Sequence, residues 1–396
     1  MATFSIRFLG CKVSQTDAQE IRERLVADGH AERAGATDVA VVNACCVTHE
    51  AVRKSRQAVR RAARGADKVY VTGCGANLAT DAFADLGAKV IALPSERTPG
   101  AVAGDVGAIG CVQDDARLDR VRAFVKIQDG CSFSCAFCVV PQVRGASRSR
   151  PAERVLAEIE RRVAQGHREV VLTGINLGCY RDRAAGFDLA RLLRAAGATP
   201  GLARLRLSSI EVNHVTPGLV DAMRETPAVS PHLHVPLQSG DDGVLRAMGR
   251  RYTAETFLRR VAHAEGFNLT TDAIVGFPDE DEAAFAATLR TVEAAGITKV
   301  HVFPYSPRPG TRTAQADPVP PEVKKERSAR LRQASDRACR ARWAARVGSE
   351  ETVLVDRPGR GYGDDYTPWL VGAQVGELVR VRAERVTQEG IVGVAA

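Results

Sequence analysis

Residues 123–138 read Ala123-Phe124-Val125-Lys126-Ile127-Gln128-Asp129-Gly130-Cys131-Ser132-Phe133-Ser134-Cys135-Ala136-Phe137-Cys138. A strand candidate at 123–127 runs straight into a loop whose three cysteines are spaced Cys-x3-Cys-x2-Cys. Five more strand candidates follow, at 169–173, 205–208, 233–236, 271–275 and 300–303, with helix-like stretches between them, among them 151–164, 189–195, 253–264 and 280–295. Strands alternating with helices specify a parallel sheet covered by helices. Six β–α units over roughly 190 residues fall short of the eight of a complete barrel, so an open, partial (βα)6 barrel is expected. Its cysteine loop then lies at the carboxyl end of the first strand, where barrel enzymes place their chemistry. Three thiolates in eight residues can hold three corners of a four-iron cluster and leave the fourth iron open. A zinc site, normally four-coordinate and more often built from Cys-x2-Cys pairs, is the alternative, as is a purely structural triplet.

The first hundred residues alternate in the same way, with strands expected at 4–9, 39–42, 68–72 and 89–93 and helices at 15–27 and about 50–64. Cys11, Cys45 and Cys74 each follow one of these strands, at spacings of 34 and 29 residues that match one β–α repeat. In a parallel sheet all three reach the same carboxyl edge and can converge on one ligand. Three small residues in strand-to-helix turns would look alike. Residues 94–110, rich in Gly, Pro and Ala, read as a boundary. Beyond Pro320-Pro321, residues 322–346 form a helix candidate with nine Lys/Arg against three acids, most of the chain's net +8. The last fifty residues switch to short strands at 352–355, 378–381 and 391–394, a small β-barrel that is net acidic with five Arg and eight acids. The expected domains are therefore 1–112, 117–346 and 347–396, in an α/β architecture.

Composition excludes several classes. With 45% hydrophobic and 26% charged residues in 396, the chain buries real cores and is not wholesale disordered. No apolar run approaches the ~18–20 residues that span a bilayer, and residues 1–13 lack the pattern of a signal peptide. Ten cysteines in this length are too few for a disulfide scaffold, and a cytoplasmic location is expected, where cysteines more often serve metals or redox chemistry. Cys46, Cys111, Cys179 and Cys339 read as ordinary small residues. His232, His234 and His301 alternate with apolar residues and read as packed, hydrogen-bonded side chains. Arg144, Arg148 and Arg150 follow the cysteine loop, placed to grip a phosphate or carboxylate or else forming a solvated charge run. The basic helix at 322–346 is a candidate RNA-facing surface.

The Cys-x3-Cys-x2-Cys loop resembles that of the radical S-adenosylmethionine (SAM) superfamily. Membership implies a 4Fe–4S cluster on Cys131, Cys135 and Cys138 whose open iron chelates SAM, and one-electron cleavage of SAM to a 5′-deoxyadenosyl radical. Phe137 matches the aromatic that sits near the adenine of SAM. The segments Gly10-Cys11-Lys12-Val13-Ser14-Gln15, Asn43-Ala44-Cys45-Cys46-Val47-Thr48 and Val71-Thr72-Gly73-Cys74 resemble the amino-terminal domain of the methylthiotransferases. There the matching cysteines, here Cys11, Cys45 and Cys74, bind a second 4Fe–4S cluster that presents sulfur. The resemblance continues through Leu172-Thr173-Gly174-Ile175-Asn176, Ser208-Ser209-Ile210-Glu211, the stretch from His232 to Gly240, Asp272 to Pro278, and His301 to Ser306. It implies SAM contacts from Gly174, Glu211, Gln238 and Asp272, although Glu211 and Asp272 could instead pair with arginines. The terminal barrel resembles the RNA-binding TRAM domain.

Several of these segments, with Gly361-Tyr362-Gly363-Asp364-Asp365-Tyr366, look like the branch that methylthiolates N6-threonylcarbamoyladenosine next to the tRNA anticodon. Branches acting on isopentenyladenosine or on a ribosomal-protein aspartate share the clusters. The resemblance further implies tRNA as partner, a reduced flavodoxin- or ferredoxin-type electron donor and a sulfur donor. Two departures stand out. Cys74-Gly75-Ala76-Asn77 replaces a common Cys-Tyr-Ala-Gln, and Gly363 replaces a common Thr.

Overall fold

A computed structural model describes residues 2–78, 80–87, 89–93 and 121–396. The expected boundary at 94–110, Cys111 and the expected border between the first two domains lie outside the described residues. The described residues gather into two compact units. One comprises the residues up to 93 with Asp129–Ser147 and Arg308–Ala314; the other comprises residues 121–128 with Arg148–Pro307 and Gln315–Ala396.

The first unit is built on five parallel strands: β1 (Thr3–Phe8), β2 (Ala31–Glu32), β3 (Thr37–Asn43), β4 (Ala66–Thr72) and β5 (Val90–Ala92), in the order β2-β1-β3-β4-β5. The nearly continuous apolar run of β3 fits burial on both faces. Successive side chains of a strand point to opposite faces, so Val39 and Val41 pack with Ile21 and Leu25 of α1 (Lys12–Ala27). Ala40 and Val42 pack on the other side with Ala58 and Val59 of α2 (His49–Gly65). Thr48 caps α2 by accepting from the Ala51 amide at 3.0 Å. Among the described residues this unit also holds two five-residue helices, α3 (Cys74–Leu78) and α4 (Val140–Arg144), and a 3-10 helix over Thr80–Leu86.

The second unit contains six parallel strands: β6 (Arg122–Lys126), β7 (Glu169–Thr173), β8 (Arg204–Leu207), β9 (His232–His234), β10 (Asn268–Val275) and β11 (Lys299–Pro304). Each lies beside its sequence neighbour. A bridge between Ser209 and His234 and an Ile210 N–H to His234 carbonyl bond of 2.9 Å join the two three-stranded halves. Helices α5 (Ala152–Ala164), α6 (Leu189–Gly197), α7 (Pro217–Glu225), α8 (Asp242–Ala247), α9 (Ala254–Ala262) and α10 (Glu282–Ala294) alternate with the strands. The core lies between strands and helices, with Val125, Leu172, Leu205, Leu233, Ala273 and Val300 among its strand residues. Six strands leave β11 at an edge. There α11 (Pro321–Ala344) lies alongside, and Ser335 Oγ accepts from the Val300 N–H at 2.9 Å.

The chain ends in a closed barrel of β12 (Glu350–Arg357), β13 (Arg360–Tyr362), β14 (Pro368–Leu370), β15 (Leu378–Val386) and β16 (Ile391–Ala395). All its neighbours are antiparallel except β14 and β16. The alternation rule misses β13 and β14, which are short and carry Gly361 and Pro368. Trp369, at the heart of this core, packs with Trp343 from α11, Val353, Val355, Val381 and Ile391.

The loop between β13 and β14 closes the amino ends of the six-stranded sheet. Glu169, the first residue of β7, is 1% exposed and is met by Arg206 at 2.9 Å, Arg204 at 3.3 Å and Arg122 at 3.5 Å. Those arginines also serve the loop. Arg206 donates to the carbonyls of Gly363 (2.7 Å) and Asp364 (2.9 Å), Arg204 to that of Tyr362 (3.0 Å), and Arg122 to the Tyr366 hydroxyl (2.9 Å). Tyr366 stacks on His232 with centroids 5.1 Å apart, and Asn268 donates to the Asp365 carbonyl at 2.7 Å. Gly363 sits where a Cβ would lie 2.9 Å from the Trp369 indole nitrogen and 3.0 Å from Glu351. The departure from Thr there matches a tight fit.

The expectation that one basic helix holds the chain's excess charge needs correction. In α11, Lys324 pairs with Asp317, Arg327 with Glu280, Arg330 with Glu282 and Arg342 with Asp365, and just beyond the helix Arg346 also pairs with Asp365. Lys325, Arg332, Arg337 and Arg340 remain exposed. Meanwhile α2 carries six Lys/Arg against Glu50 alone, with Arg60, Arg61 and Arg64 exposed.

Burial opposes ionisation of Glu169, but Arg206, Arg122 and Arg204 outweigh it and hold its carboxyl below the ordinary 4.5. Its stabilising contribution is therefore complete above pH 4.5 and is lost as pH falls through the lower folded value. Glu169→Ala leaves three arginines without their shared carboxylate and should cost about 3–5 kcal/mol. Both tryptophans of the chain lie in the terminal core. Urea unfolding followed by tryptophan fluorescence should therefore show the loss, and the difference between Glu169→Ala and the unsubstituted protein should shrink in acid.

Candidate metal centre

Cys11, Cys45 and Cys74 follow three adjacent strands, β1, β3 and β4, at the carboxyl edge of the first unit's sheet. Cys11 is the exposed N-cap of α1, Cys45 is buried in the turn after β3, and Cys74 opens α3. Ser55 of α2 pins Cys45, accepting from its amide at 3.0 Å and donating to its carbonyl at 3.2 Å. The turn before Cys74 requires glycine: Gly73 has φ +84, and a Cβ there would lie 2.1 Å from Asn43 Oδ1. Gly75 packs against Ala44 and Phe83, where a Cβ would approach to 2.9 Å and 3.4 Å. Asn77 is tied to the Val143 carbonyl at 2.6 Å.

The loop carrying Cys131, Cys135 and Cys138 belongs to this same unit. Gly130 has φ +69, and a Cβ would lie 2.1 Å from the Ala146 carbonyl oxygen. The sulfurs of Cys131 and Cys138 accept backbone N–H groups of Phe133 and Val140, each at 3.4 Å. Thr313 and Arg312 brace the loop by donating to the carbonyls of Ala136 (3.2 Å) and Ser134 (3.0 Å). Cys46 and Cys74 pack with Val139 and Val143 from the segment just after Cys138. Phe137 is half-buried.

Electrostatics disfavour bare thiolates at Cys45 and Cys74. Burial raises the Cys45 thiol, with Cys11 adding to the shift. Burial pushes Cys74 up to about 11, and Arg144 opposes that rise. Cys46 is raised to about 12 by burial, with Cys74 and Cys45 reinforcing it. A cationic iron–sulfur core offsets such penalties, because metal ligation and thiol deprotonation are linked. Among the described residues, no group of three His, Cys, Asp or Glu side chains is gathered for a metal ion. The backbone N–H groups on the sulfurs of Cys131 and Cys138, and the Arg144 donor on that of Cys74, are the kind of hydrogen bond that sets the potential of an iron–sulfur cluster.

Arg144 was expected to face a phosphate or carboxylate ligand, but it is enclosed, 8% exposed, with Asp17 at 2.8 Å, Asp129 at 3.1 Å and the Cys74 sulfur at 3.1 Å. Arg148 is exposed, and Arg150 pairs with Glu158 at 3.5 Å.

In the second unit the four residues expected to contact SAM lie at carboxyl ends of strands or on them. Gly174 follows β7 and leaves room for Gln128, whose side-chain oxygen would be 3.0 Å from a Cβ there and accepts the Asn176 amide at 2.7 Å. Glu211 is paired with Arg250 at 3.5 Å and accepts the Asn213 amide at 2.9 Å; burial raises its carboxyl. Asp272 pairs with His234 at 3.2 Å, not with an arginine. The other nitrogen of His234 lies 2.9 Å from Thr270 Oγ, as a hydrogen-bonded histidine should. Gln238 holds φ +69, rare for a residue with a side chain, a kind of strain that clusters at functional sites. Sequence reasoning passed over Thr173, Asn176 and Ser208. Each carries a buried oxygen with no hydrogen-bond partner at these strand ends, a sign of a polar ligand. Their signal lay inside the motifs, one or two residues from Gly174 and a few before Glu211.

In metal-free protein, Cys11 should alkylate well before Cys45 and Cys74, since it is exposed while the others are buried with raised thiols. Timed iodoacetamide labelling read by peptide mass spectrometry checks the order.

Comparison with known proteins agrees with this geometry. The radical SAM superfamily matches residues 125–292, and the uncharacterized protein family UPF0004 matches residues 3–93. The chain is 34% identical to the threonylcarbamoyladenosine tRNA methylthiotransferase MtaB of Chlamydia pneumoniae, over 99% of this chain and 97% of that one. It is 33% identical to the MtaB of Thermotoga maritima, over 100% and 98%. It is 37% identical to the tRNA-2-methylthio-N(6)-dimethylallyladenosine synthase of Sorangium cellulosum, over 92% and 84%. In fold it is similar to the radical SAM methyltransferase TsrM of Kitasatospora setae, with a TM-score of 0.58, 15% identity, and 79% and 77% of the two chains covered. Radical SAM enzymes bind a 4Fe–4S cluster and SAM. With full-length likeness above 30% identity and both family signatures in order, the chain belongs to the radical SAM methylthiotransferase family.

Proposed function

We propose that this protein converts N6-threonylcarbamoyladenosine at position 37 of tRNA, next to the anticodon, to its 2-methylthio derivative. The observation that carries this reading is the presence of two cysteine triplets within one compact unit, with hydrogen-bond donors on the sulfurs of Cys131, Cys138 and Cys74. In this reading Cys131, Cys135 and Cys138 hold one 4Fe–4S cluster and Cys11, Cys45 and Cys74 hold a second. When bound, the first supplies the electron that cleaves SAM and the second supplies sulfur. The C2 hydrogen atom would pass to the 5′-deoxyadenosyl radical, giving 5′-deoxyadenosine, and sulfur would take its place on C2 with the odd electron taken up by the second cluster; a second SAM would supply the methyl group on that sulfur and leave as S-adenosylhomocysteine. Gly174, Glu211, Gln238 and Asp272 orient SAM, joined by Thr173, Asn176 and Ser208 through their unpartnered oxygens. A reduced flavodoxin- or ferredoxin-type protein and a sulfur donor complete the cycle, and the cytoplasm is the expected setting. No helix among the described residues is long and apolar enough to cross a membrane.

The choice of modified base rests on the segments around Leu172–Asn176, Ser208–Glu211, His301–Ser306 and Gly361–Tyr366, since relatives of both tRNA branches lie at similar identity. The dimethylallyladenosine reading is favoured by the 37% identity to the Sorangium protein. Nucleoside mass spectrometry of tRNA from a strain lacking this protein decides. Loss of 2-methylthio-threonylcarbamoyladenosine alone supports the proposal, loss of the isopentenyl product replaces it, and unchanged tRNA points to a protein substrate or to a non-catalytic RNA-binding protein. In the purified enzyme, Cys131→Ala should abolish 5′-deoxyadenosine formation, whereas Cys45→Ala should keep it and abolish methylthio product.

We also place tRNA phosphates against exposed cations of α2 and α11. Changing Arg60, Arg61 and Arg64 together to Ala should weaken tRNA binding across sequences. The slope of log affinity against log salt should fall by about one for each phosphate no longer neutralised, as read by filter binding at several salt concentrations.

A further inference from the structure

We propose that Arg144 is a positioning residue that ties the two cysteine loops together and, through its bond to the Cys74 sulfur, tunes the iron–sulfur group of the first triplet. This rests on the reading that Cys11, Cys45 and Cys74 hold such a group. The guanidinium is fully engaged in three directions: Nε donates to Cys74 Sγ at 3.1 Å, Nη2 to Asp17 at 2.8 Å, and Nη1 to Asp129 at 3.1 Å and 3.3 Å. Asp17 belongs to α1, which Cys11 caps, and Asp129 lies two residues before Cys131. Arg144 itself ends α4, which starts two residues after Cys138. One side chain thus joins the element behind Cys11, the sulfur of Cys74 and both flanks of the second cysteine loop.

The chemistry favours arginine specifically. A planar fork can serve three acceptors at fixed angles, whereas an ammonium is a point donor on a flexible stem. Two carboxylates hold the fork in place, so its aim at the sulfur does not depend on a mobile side chain. Burial opposes the arginine's charge, but Cys74, Asp17 and Asp129 outweigh that cost and hold it protonated. Hydrogen bonds to cluster sulfurs and the local charge set reduction potential, and partners behind the ligands orient them. An N–H bond and a fixed positive charge on the Cys74 thiolate stabilise the more negative, reduced state, so removing them shifts the potential downward.

The test uses the full chain with Cys131, Cys135 and Cys138 changed to Ala, so that bound iron and its spectrum belong to the first triplet. After anaerobic reconstitution, iron content and midpoint potential are compared for Arg144, Arg144→Lys and Arg144→Met, with circular dichroism as a check of folding. Arg144→Met should move the potential negative by about 59 mV, a tenfold change in a one-electron equilibrium, with Arg144→Lys between. Equal iron and an unchanged potential in Arg144→Met would make Arg144 a structural ion pair and overturn the proposal. If Arg144→Met takes up no iron, Arg144→Lys decides alike: a negative shift supports the proposal and an unchanged potential overturns it. Failure of the chain with Arg144 intact to bind iron at all would instead remove the cluster reading of Cys11, Cys45 and Cys74, and this inference with it.

Discussion

The buried carboxylate of Glu169 is the constraint on which the second unit depends. A charge with 1% exposure survives only where opposite charge and hydrogen bonds replace water. Three arginines at the amino ends of β6 and β8 supply both, and their remaining donors hold the loop from Tyr362 to Tyr366. The amino ends of the sheet are thereby filled by the chain's own terminal module. The carboxyl ends are where Gly174, Gln238 and the unpartnered oxygens of Asn176 and Ser208 lie.

The first unit answers a different constraint, the cost of collecting several thiols in little water. Its solution is local: glycines at the two tightest turns, Ser55 fixing the Cys45 backbone through hydrogen bonds, and N–H donors on the sulfurs of the other loop. Burial raises the thiols of Cys45 and Cys74, so a metal group held there would have to displace their protons, which would couple its binding to pH.

Much of this was legible in the sequence because it is periodic or closely spaced. Parallel strands announce themselves by apolar runs, as in β3 and β7, and the even spacing of Cys11, Cys45 and Cys74 follows from the β–α repeat. What stayed hidden depends on partners distant in sequence. Nothing near Arg144 indicates that Asp17 and Cys74 enclose it, and nothing in α11 shows that Glu280, Glu282 and Asp365 consume its cations. The same holds for Glu169, whose neighbours in sequence give no hint of Arg204 and Arg206. The strands β13 and β14 escaped because Gly361 and Pro368 break the alternation that reveals longer strands.

The bond from Val300 to Ser335 gives α11 a meaning that its charge conceals. An open barrel has sheet edges, and an uncovered edge offers its backbone to any extended chain it meets. Here the edge strand β11 is shielded by the helix that leads into the terminal barrel, with a hydroxyl taking up one of its free amides. A chain cut before Pro321 would therefore lose more than its terminal barrel. It would bare a template for strand addition, and self-association, not weak tRNA binding, would be the first symptom.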